Sequence, residues 1–523
     1  MTATESAAPE HSGDRPAAID GLAALVRTVG DREAIAVKAP FEGDAIGGVP
    51  ACEPDDVEAA FDRAADSAWR ETTAGERADA LVRFHDLVLD DQAAIMDVVQ
   101  AETGKARRDA HEEVLDIAAT ARYYAYRAAS ALETEPRRGA LPGATETEVH
   151  HHPVGTVGIV SPWNYPLNLS VGDAIPALLA GNAVVLKPAP ETPYTALKAA
   201  ALLRKAGVPE TAFQVLTGER ATGEAVVEAA DYVCFTGSTA GGRAVARSAG
   251  GTLTDCSLEL GGKNPGIVRA DADIERAVEG LLRGCFSNAG QLCLSIERLY
   301  VHADVFDRFV AAFCEAVESI DLGAGYEFDL GMGSLISAGH LEKVAGHVAE
   351  AEREGATVLT GGRKRPDVGP YFYEPTLLTG VEGSMALFNE ETFGPVVSLY
   401  PYETDAEAIE RANDSVYGLN ASVWTDDTER GREIAAEIEA GTVNVNESYA
   451  AAWASLDAPM GGMKESGIGR RHGLEGLYRF TESQTVAVQK YGGLSPPTGV
   501  PYRLFARLLN GAMRVQRRLP WLR

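Results

Sequence analysis

The sequence predicts an α/β protein in which a doubly wound parallel sheet is followed by a second α/β domain. Between residues 155 and 238 short apolar runs alternate with segments of helical spacing, and from about 263 to 460 the alternation resumes. Such alternation makes successive strands parallel and lays the crossover helices on both faces of the sheet. The length, 523 residues, is too great for one compact core and calls for two or more domains.

Taken in order, residues 55–130 read as helical, since ERADALVRFHDLVLDDQAAIMDVVQAETGK spaces apolar residues three and four apart. ATETEVHHHP, residues 144–153, alternates as an exposed strand does. GTVGIVSP then reads as strand, AIPALLAG as helix, NAVVLKP as strand and TPYTALKAAALLRKAG as helix. FQVLTG is a strand, ATGEAVVEAA a helix and YVCFTGS a strand, with no internal repeat and no low-complexity linker anywhere. Residues 493–523 differ from the rest: six arginines and no acid follow a Pro/Gly-rich break, and 502–518 has an amphipathic helical pattern. This tail is expected to dock on an acidic protein surface, its own or a neighbouring subunit's; a membrane-surface helix is the second reading.

The net charge of −29, from 47 basic and 76 acidic residues, disfavours nucleic acid as a partner. With only 10 Lys against 37 Arg it suits a high-salt cytoplasm or a GC-rich genome, as well as plain solubility. No uncharged apolar run has the length of a membrane span, so no stable membrane insertion is expected. MTATESAAPEHSGDRP at the N-terminus lacks the basic start and apolar run of a signal peptide, and a cytoplasmic protein is expected. The six cysteines, at 52, 234, 256, 285, 293 and 314, show no CxxC or zinc spacing, so no metal site is expected. Most should be reduced, inert packing residues.

One of them has a different context. Cys293 lies in Phe-Ser-Asn-Ala-Gly-Gln-Leu-Cys-Leu-Ser, residues 286–295, where small residues let a substrate approach the backbone. Glu259, 34 residues earlier, ends an apolar strand and opens the run Gly261-Gly262. An unpaired acid is costly to bury in such a strand, which favours a site. A thiol attacks an aldehyde carbonyl well, and a carboxylate then activates water against the resulting thioester. Pro-Trp-Asn-Tyr-Pro, residues 162–166, follows the first strand of the doubly wound region, where ligands bind. Its Asn164 offers an amide donor for an oxyanion, although such a residue also serves in turns. Phe-Thr-Gly-Ser-Thr-Ala-Gly-Gly, residues 235–242, is a strand-turn-helix junction with Gly237, Ser238 and Gly242. Amides at a helix N-terminus suit a pyrophosphate. Lys187, ending the strand VVLKP, can reach ribose hydroxyls or stand solvated.

In this order and spacing these strings resemble the NAD(P)-dependent aldehyde dehydrogenase superfamily, over residues 40–490. The resemblance implies a Rossmann-type cofactor domain (1–132 and 154–261), an α/β catalytic domain (262–465), a β oligomerisation flap (133–153 and 478–492) and the basic tail (493–523). It implies Cys293 as nucleophile, Glu259 as general base, and Asn164 with the Cys293 amide as oxyanion hole. Trp163, Asn164, Lys187, Gly237, Ser238, Gly242 and Leu260 fall at cofactor positions, and Glu391 and Phe393 in Glu-Glu-Thr-Phe-Gly-Pro-Val match the pair that holds the nicotinamide ribose. NAD or NADP is the implied cofactor, a small aldehyde the substrate, and a homodimer or homotetramer the assembly. Many NAD-preferring relatives carry a glutamate three residues after the lysine. That position is Pro190 here, with Glu191 next, so NADP is expected to be accepted. Transfer to coenzyme A and a catalytically silent relative are the alternatives; the former branch generally lacks the glutamate, and retention of Cys293, Glu259 and Asn164 together argues against the latter.

The strings SNAGQLCLSIERLYV, GPYFYEPTLLT and APMGGMKESGIGRRHG are similar to a subgroup labelled second-type succinate-semialdehyde dehydrogenases. Well-studied members clamp the distal carboxylate with two arginines, whose positions here are Gly172 and Ser287. Asp173 would repel a carboxylate if it faced the site. Ser287, Ser455 or an arginine that sequence cannot place would have to compensate. A neutral aldehyde is therefore expected to compete well, with succinate semialdehyde still the leading named candidate.

Overall fold

The structure, a computed structural model, describes residues 16–139, 144–493 and 495–518; the N-terminal fifteen residues read for a signal and the last five of the tail lie outside the described residues. Two compact units are formed. One comprises Met1–Ala129 and Pro153–Phe480, the other Ser130–His152 and Thr481–Arg523.

The larger unit is built on two mainly parallel sheets. The first has six strands in the order Gly467–Ile468, Asp255–Glu259, Tyr232–Thr236, Thr156–Val160, Ala183–Lys187 and Phe213–Val215. All its pairs are parallel except the short Gly467–Ile468 strand, which returns antiparallel against Asp255–Glu259. The order reverses at Thr156–Val160, so the loop beginning at Ser161 and the turn beginning at Gly237 flank the crevice where open α/β sheets bind ligands. The second sheet has seven strands: Thr357–Thr360, Thr376–Thr379, Val396–Tyr402, Ile296–His302, Asn264–Val268, Asn420–Trp424 and Thr442–Val445. Its core is an apolar cluster in which Phe286, Phe309, Phe313, Leu399 and Trp424 are fully enclosed. The helical region of 55–130 comprises Pro54–Ala65, Ala74–Asp90, Gln92–Thr103 and Arg107–Ala131. Thr73 and Glu76 start the second of these with a reciprocal capping box.

The smaller unit holds a three-stranded sheet ordered Thr481–Gln489, Thr145–Pro153, Glu135–Arg138, together with a helix, Tyr502–Gln516, that has no buried residue. Among the described residues no helix is long and apolar enough to cross a membrane, and none of their His, Cys, Asp or Glu groups could hold a metal ion.

A buried ion pair ties the helical layer of the larger unit to the loop after its first strand. Helix Gln92–Thr103 ends on Gly104 at φ 71°, where a Cβ would lie 2.0 Å from the Ser334 hydroxyl. Lys105 follows, and its Nζ lies 2.5 Å from Glu113 Oε1, both side chains fully buried. The same ammonium donates to the carbonyl of Asn164 at 2.7 Å and sits 3.8 Å from the ring centre of Tyr165. Glu113 Oε2 accepts the N–H groups of Leu167 (2.8 Å) and Asn168 (3.1 Å). Replacing Lys105 by methionine removes the counter-charge and leaves the carboxylate buried, which commonly costs about 3–5 kcal/mol. Lys105→Met should therefore lower the urea midpoint at unchanged slope by an amount equivalent to that loss. A change below about 1 kcal/mol would show that the pair carries no net weight.

Candidate active site

Cys293 is placed by a strained turn. Helix Ile274–Phe286 ends at Ser287, and Asn288, Ala289 and Gly290 then take left-handed φ values of 50°, 55° and 70°. Only glycine fits the third position, since a Cβ there would lie 2.1 Å from the carbonyl of Gly394. The two non-glycine residues cost energy in this region and need a surround that over-determines them. That surround is polar and buried. Asn288 N–H donates to Asp109 Oδ2 (3.0 Å), and its Nδ2 to the carbonyls of Asn164 (2.9 Å) and Gln291 (3.1 Å). Gln291 Nε2 donates to Asn288 and Ser334 carbonyls, while its Oε1 accepts from Ile336 at 2.9 Å. The Asn and Gln of the motif are thus the supports of the turn.

Cys293, half-buried, lines two cavities that also share Glu259 and Asn164. Burial, then the charges of Glu259 and Glu391, push its thiol up to about 12. Glu259 ends its strand beside Gly467, and its Oε1 is buried without a hydrogen-bond partner. Burial lifts its pKa to about 7 against the pull of Arg471, so it can exchange a proton near neutrality. Asn164 Nδ2 donates to the Gln291 carbonyl at 3.1 Å, which leaves its second amide proton for a ligand.

The first cavity, a cleft of about 690 Å³, is lined by Trp163, Asn164, Gly237, Ser238, Leu260, Glu391 and Phe393. An adjoining cleft of about 1230 Å³ shares Ser238 and is lined by Lys187, Val227, Phe235 and Val245. Ser238 caps helix Thr239–Thr252, accepting the Gly241 N–H at 3.2 Å, and no acid lies in that helix's first turn. Helix-start amides beside a lysine fit a pyrophosphate and ribose, so the residues suit a dinucleotide. Glu391 Oε1 accepts the Gly262 N–H at 2.9 Å. The neighbouring Thr392 and Phe393 N–H groups are gripped by Glu297, which is paired with buried Lys263 at 2.6 Å. Gly242 lines neither cleft, and a Cβ there would meet Leu260 at 2.4 Å. Pro190 lines neither cleft.

Motif reading missed His340, Lys343 and Arg220, because each lies on a helix whose sequence carries no site signature. His340 Nε2–H donates to the Phe393 carbonyl at 2.7 Å, and burial holds its pKa down at about 4, so it is a neutral donor.

The second cavity, about 870 Å³, has apolar walls from Tyr165, Leu169, Trp453 and Met460. Gly172 lines it without contributing a side chain. Ser287 is turned to the Tyr449 hydroxyl at 3.2 Å, and exposed Ser455 donates to the Ala451 carbonyl, so neither compensates for a missing clamp. Asp173 does face the cavity, but as the shared partner of Arg471 (2.8 Å) and Arg479 (2.5 Å). Burial alone would raise its pKa; the two guanidinium groups outweigh it and hold it at about 2. The repulsion expected of Asp173 is therefore cancelled, by arginines 298 and 306 residues away in sequence.

The aldehyde dehydrogenase family profile matches residues 27–486. A protein of Mycolicibacterium smegmatis named "putative succinate-semialdehyde dehydrogenase, NADP(+)" is 51% identical over 492 residues, covering 94% of this chain and 95% of its own. Among solved structures, an Escherichia coli "NADP dependent enzyme" superposes with a TM-score of 0.84 at 34% identity, covering 89% of this chain and 99% of its own. A Staphylococcus aureus betaine aldehyde dehydrogenase variant in complex with NAD+ gives a TM-score of 0.84 at 32% identity, covering 89% and 96%. The chain belongs to the aldehyde dehydrogenase family, oxidoreductases acting on the aldehyde group.

Proposed function

We propose that the chain oxidises a short aldehyde bearing a distal carboxylate, with succinate semialdehyde foremost, through a thioester on Cys293. The observation that carries the chemistry is the shared cavity wall: a thiol, a buried carboxylate with an unpartnered oxygen, and an asparagine amide with a spare proton. The relatives' names support the substrate.

In this reading the thiol of Cys293 gives up its proton to solvent and its sulfur bonds to the carbonyl carbon. The oxygen that gains the charge accepts from the Asn164 amide and the Cys293 N–H. A bound nicotinamide supplies the hydride acceptor for the next step, and Trp163, Glu391 and Phe393 would hold that end of the dinucleotide. Glu259 then takes a proton from water as its oxygen bonds to the thioester carbon. The carbon–sulfur bond breaks, releasing the acid and regenerating the thiol. Retained Glu259 favours water over coenzyme A as acceptor.

NADP is the expected cofactor. Lys187 lines the cleft and offers a cation to a 2′-phosphate, beside Arg220, which is paired with Glu224 at 2.7 Å. Glu191 is exposed beside Lys187, where its charge opposes the lowering of the amine's pKa by burial. The three-stranded sheet of the smaller unit leaves Thr481–Gln489 as an exposed edge, which supports strand-to-strand assembly into a homodimer or homotetramer. A cytoplasmic location rests on the sequence alone.

Glu259→Gln should give a burst of reduced cofactor and then turn over about 10²–10⁴-fold more slowly than wild type, since the amide cannot accept water's proton. In the wild type the steady-state rate should rise with pH through about 7, as Glu259 becomes a carboxylate, and the variant should lose this step. Equal loss of burst and steady state would point to a structural glutamate instead.

Lys187→Ala should weaken NADP by about tenfold more than NAD, the scale of one lost charge-assisted contact. Wild-type activity confined to NAD would contradict the cofactor assignment.

A further inference from the structure

We propose that Arg471 selects aldehydes carrying a distal carboxylate, receiving that carboxylate on guanidinium donors that the protein leaves free in the cavity of Cys293. The proposal rests on the substrate reading above and names the residue that would enforce it.

The argument begins with hydrogen bonds. Arg471 makes both of its bonds through one nitrogen, Nη2, to Asp173 Oδ2 and to Thr236 Oγ, each at 2.8 Å. Its Nε is buried with no partner, and Nη1 makes no hydrogen bond among the described residues. A guanidinium carries five N–H donors and holds them in a rigid plane suited to a carboxylate. Arg479 likewise leaves its Nε unpartnered, but it uses both terminal nitrogens, Nη2 donating to Asp173 Oδ1 and Nη1 to Ser257 Oγ, and it lies 4.6 Å from the ring centre of Phe480. Arg479 therefore positions Asp173, while Arg471 presents the spare donors.

Charge points the same way. Asp173 supplies one negative charge between two guanidinium groups, so the triad is left with one positive charge in excess. The other acids of the cavity do not remove it. Burial and the charge of Glu113 push Asp116 up to about 8, and it is uncharged at neutral pH. Glu112 is engaged by Arg283 at 2.8 Å and by the Tyr449 hydroxyl. His472, lining the same wall, is kept neutral by burial. Arg470 bonds backbone carbonyls of Gly462 and Gly469. Glu259 is the remaining acid, and no ion pair joins it to Arg471. A buried uncompensated charge is costly, and an anionic substrate relieves that cost whereas a neutral one does not. Gly172, at one of the two positions that carry arginine in well-studied succinate-semialdehyde dehydrogenases, lines the same cavity without a side chain.

The test compares kcat/KM for succinate semialdehyde and for butanal, which has the same chain length, in the wild type, Arg471→Gln and Arg471→Lys. The wild type should prefer the charged substrate by about a hundredfold or more, and the glutamine variant should lose at least about thirtyfold of that preference, mainly through KM. Removing the pull of Arg471 on Glu259 acts on both substrates alike, so the ratio is the readout, and lysine should restore part of the preference, because a point charge replaces the guanidinium plane. An unchanged ratio in Arg471→Gln overturns the proposal while leaving the substrate reading intact. Parallel loss on both substrates at an unchanged ratio also overturns it, and assigns Arg471 to Glu259 alone. A wild type without preference overturns the substrate reading itself. Should the variants fail to fold, inhibition of the wild type remains decisive: succinate should compete with the aldehyde at least about tenfold more tightly than its neutral diamide, and equal inhibition contradicts the proposal.

Discussion

The carbonyl oxygen of Asn164 accepts two buried donors, Lys105 Nζ at 2.7 Å and Asn288 Nδ2 at 2.9 Å, and the site hangs on that junction. Lys105 comes from the helical layer, Asn164 from the end of a strand of the first sheet, and Asn288 from the turn that carries Cys293. One oxygen thus fixes three segments to each other. Each donor also holds a second buried partner, Glu113 for Lys105 and Gln291 for Asn288, so the oxygen is a node of one shared network. It also explains why residues 288 and 289 can hold left-handed conformations: the turn cannot relax without releasing Asn164 and, through Lys105, exposing the charge of Glu113. Cys293 and the Asn164 amide are therefore placed by one network.

The two cavities that meet at Cys293 differ in charge. On the nucleotide side, donors dominate: the helix start at Ser238, with Lys187, Arg220 and Lys343. Backbone amides hold Glu391 and Glu297, which keeps the wall in shape, and Arg220 holds Glu224. On the aldehyde side apolar side chains share the wall with the Asp173–Arg471–Arg479 triad and with Glu112, Asp116 and His472. Glu259 faces both. Its pKa near 7 is a balance between burial, which favours the acid form, and the nearby guanidinium groups, which favour the anion. A base poised at that balance suits a water-activating step at neutral pH.

Much of this was legible in the chain, for reasons that differ by element. The alternation of 155–238 predicts the first sheet because each strand there is buried on both faces and reads as a short apolar run. Gly467–Ile468 escapes such reading, since two residues carry no periodicity and join the sheet only through tertiary pairing with Leu258 and Glu259. The string around Cys293 is readable because its glycine answers a local backbone demand at φ 70°. Asp173 was misjudged for the opposite reason: its partners lie about three hundred residues on, and no local spacing predicts a buried ion triad. At Gly242 the close approach of Leu260 is a tertiary contact that a position at a helix start does not announce.

The most direct test of the covalent route is peptide mass analysis of wild-type protein quenched soon after mixing with aldehyde and NADP at about pH 5.5, where a base titrating near neutrality is mostly protonated. The acyl adduct should accumulate on the peptide containing Cys293 and disappear when the pH is raised before quenching. An adduct on another of the six cysteines, or turnover with no adduct at any pH, would contradict the account.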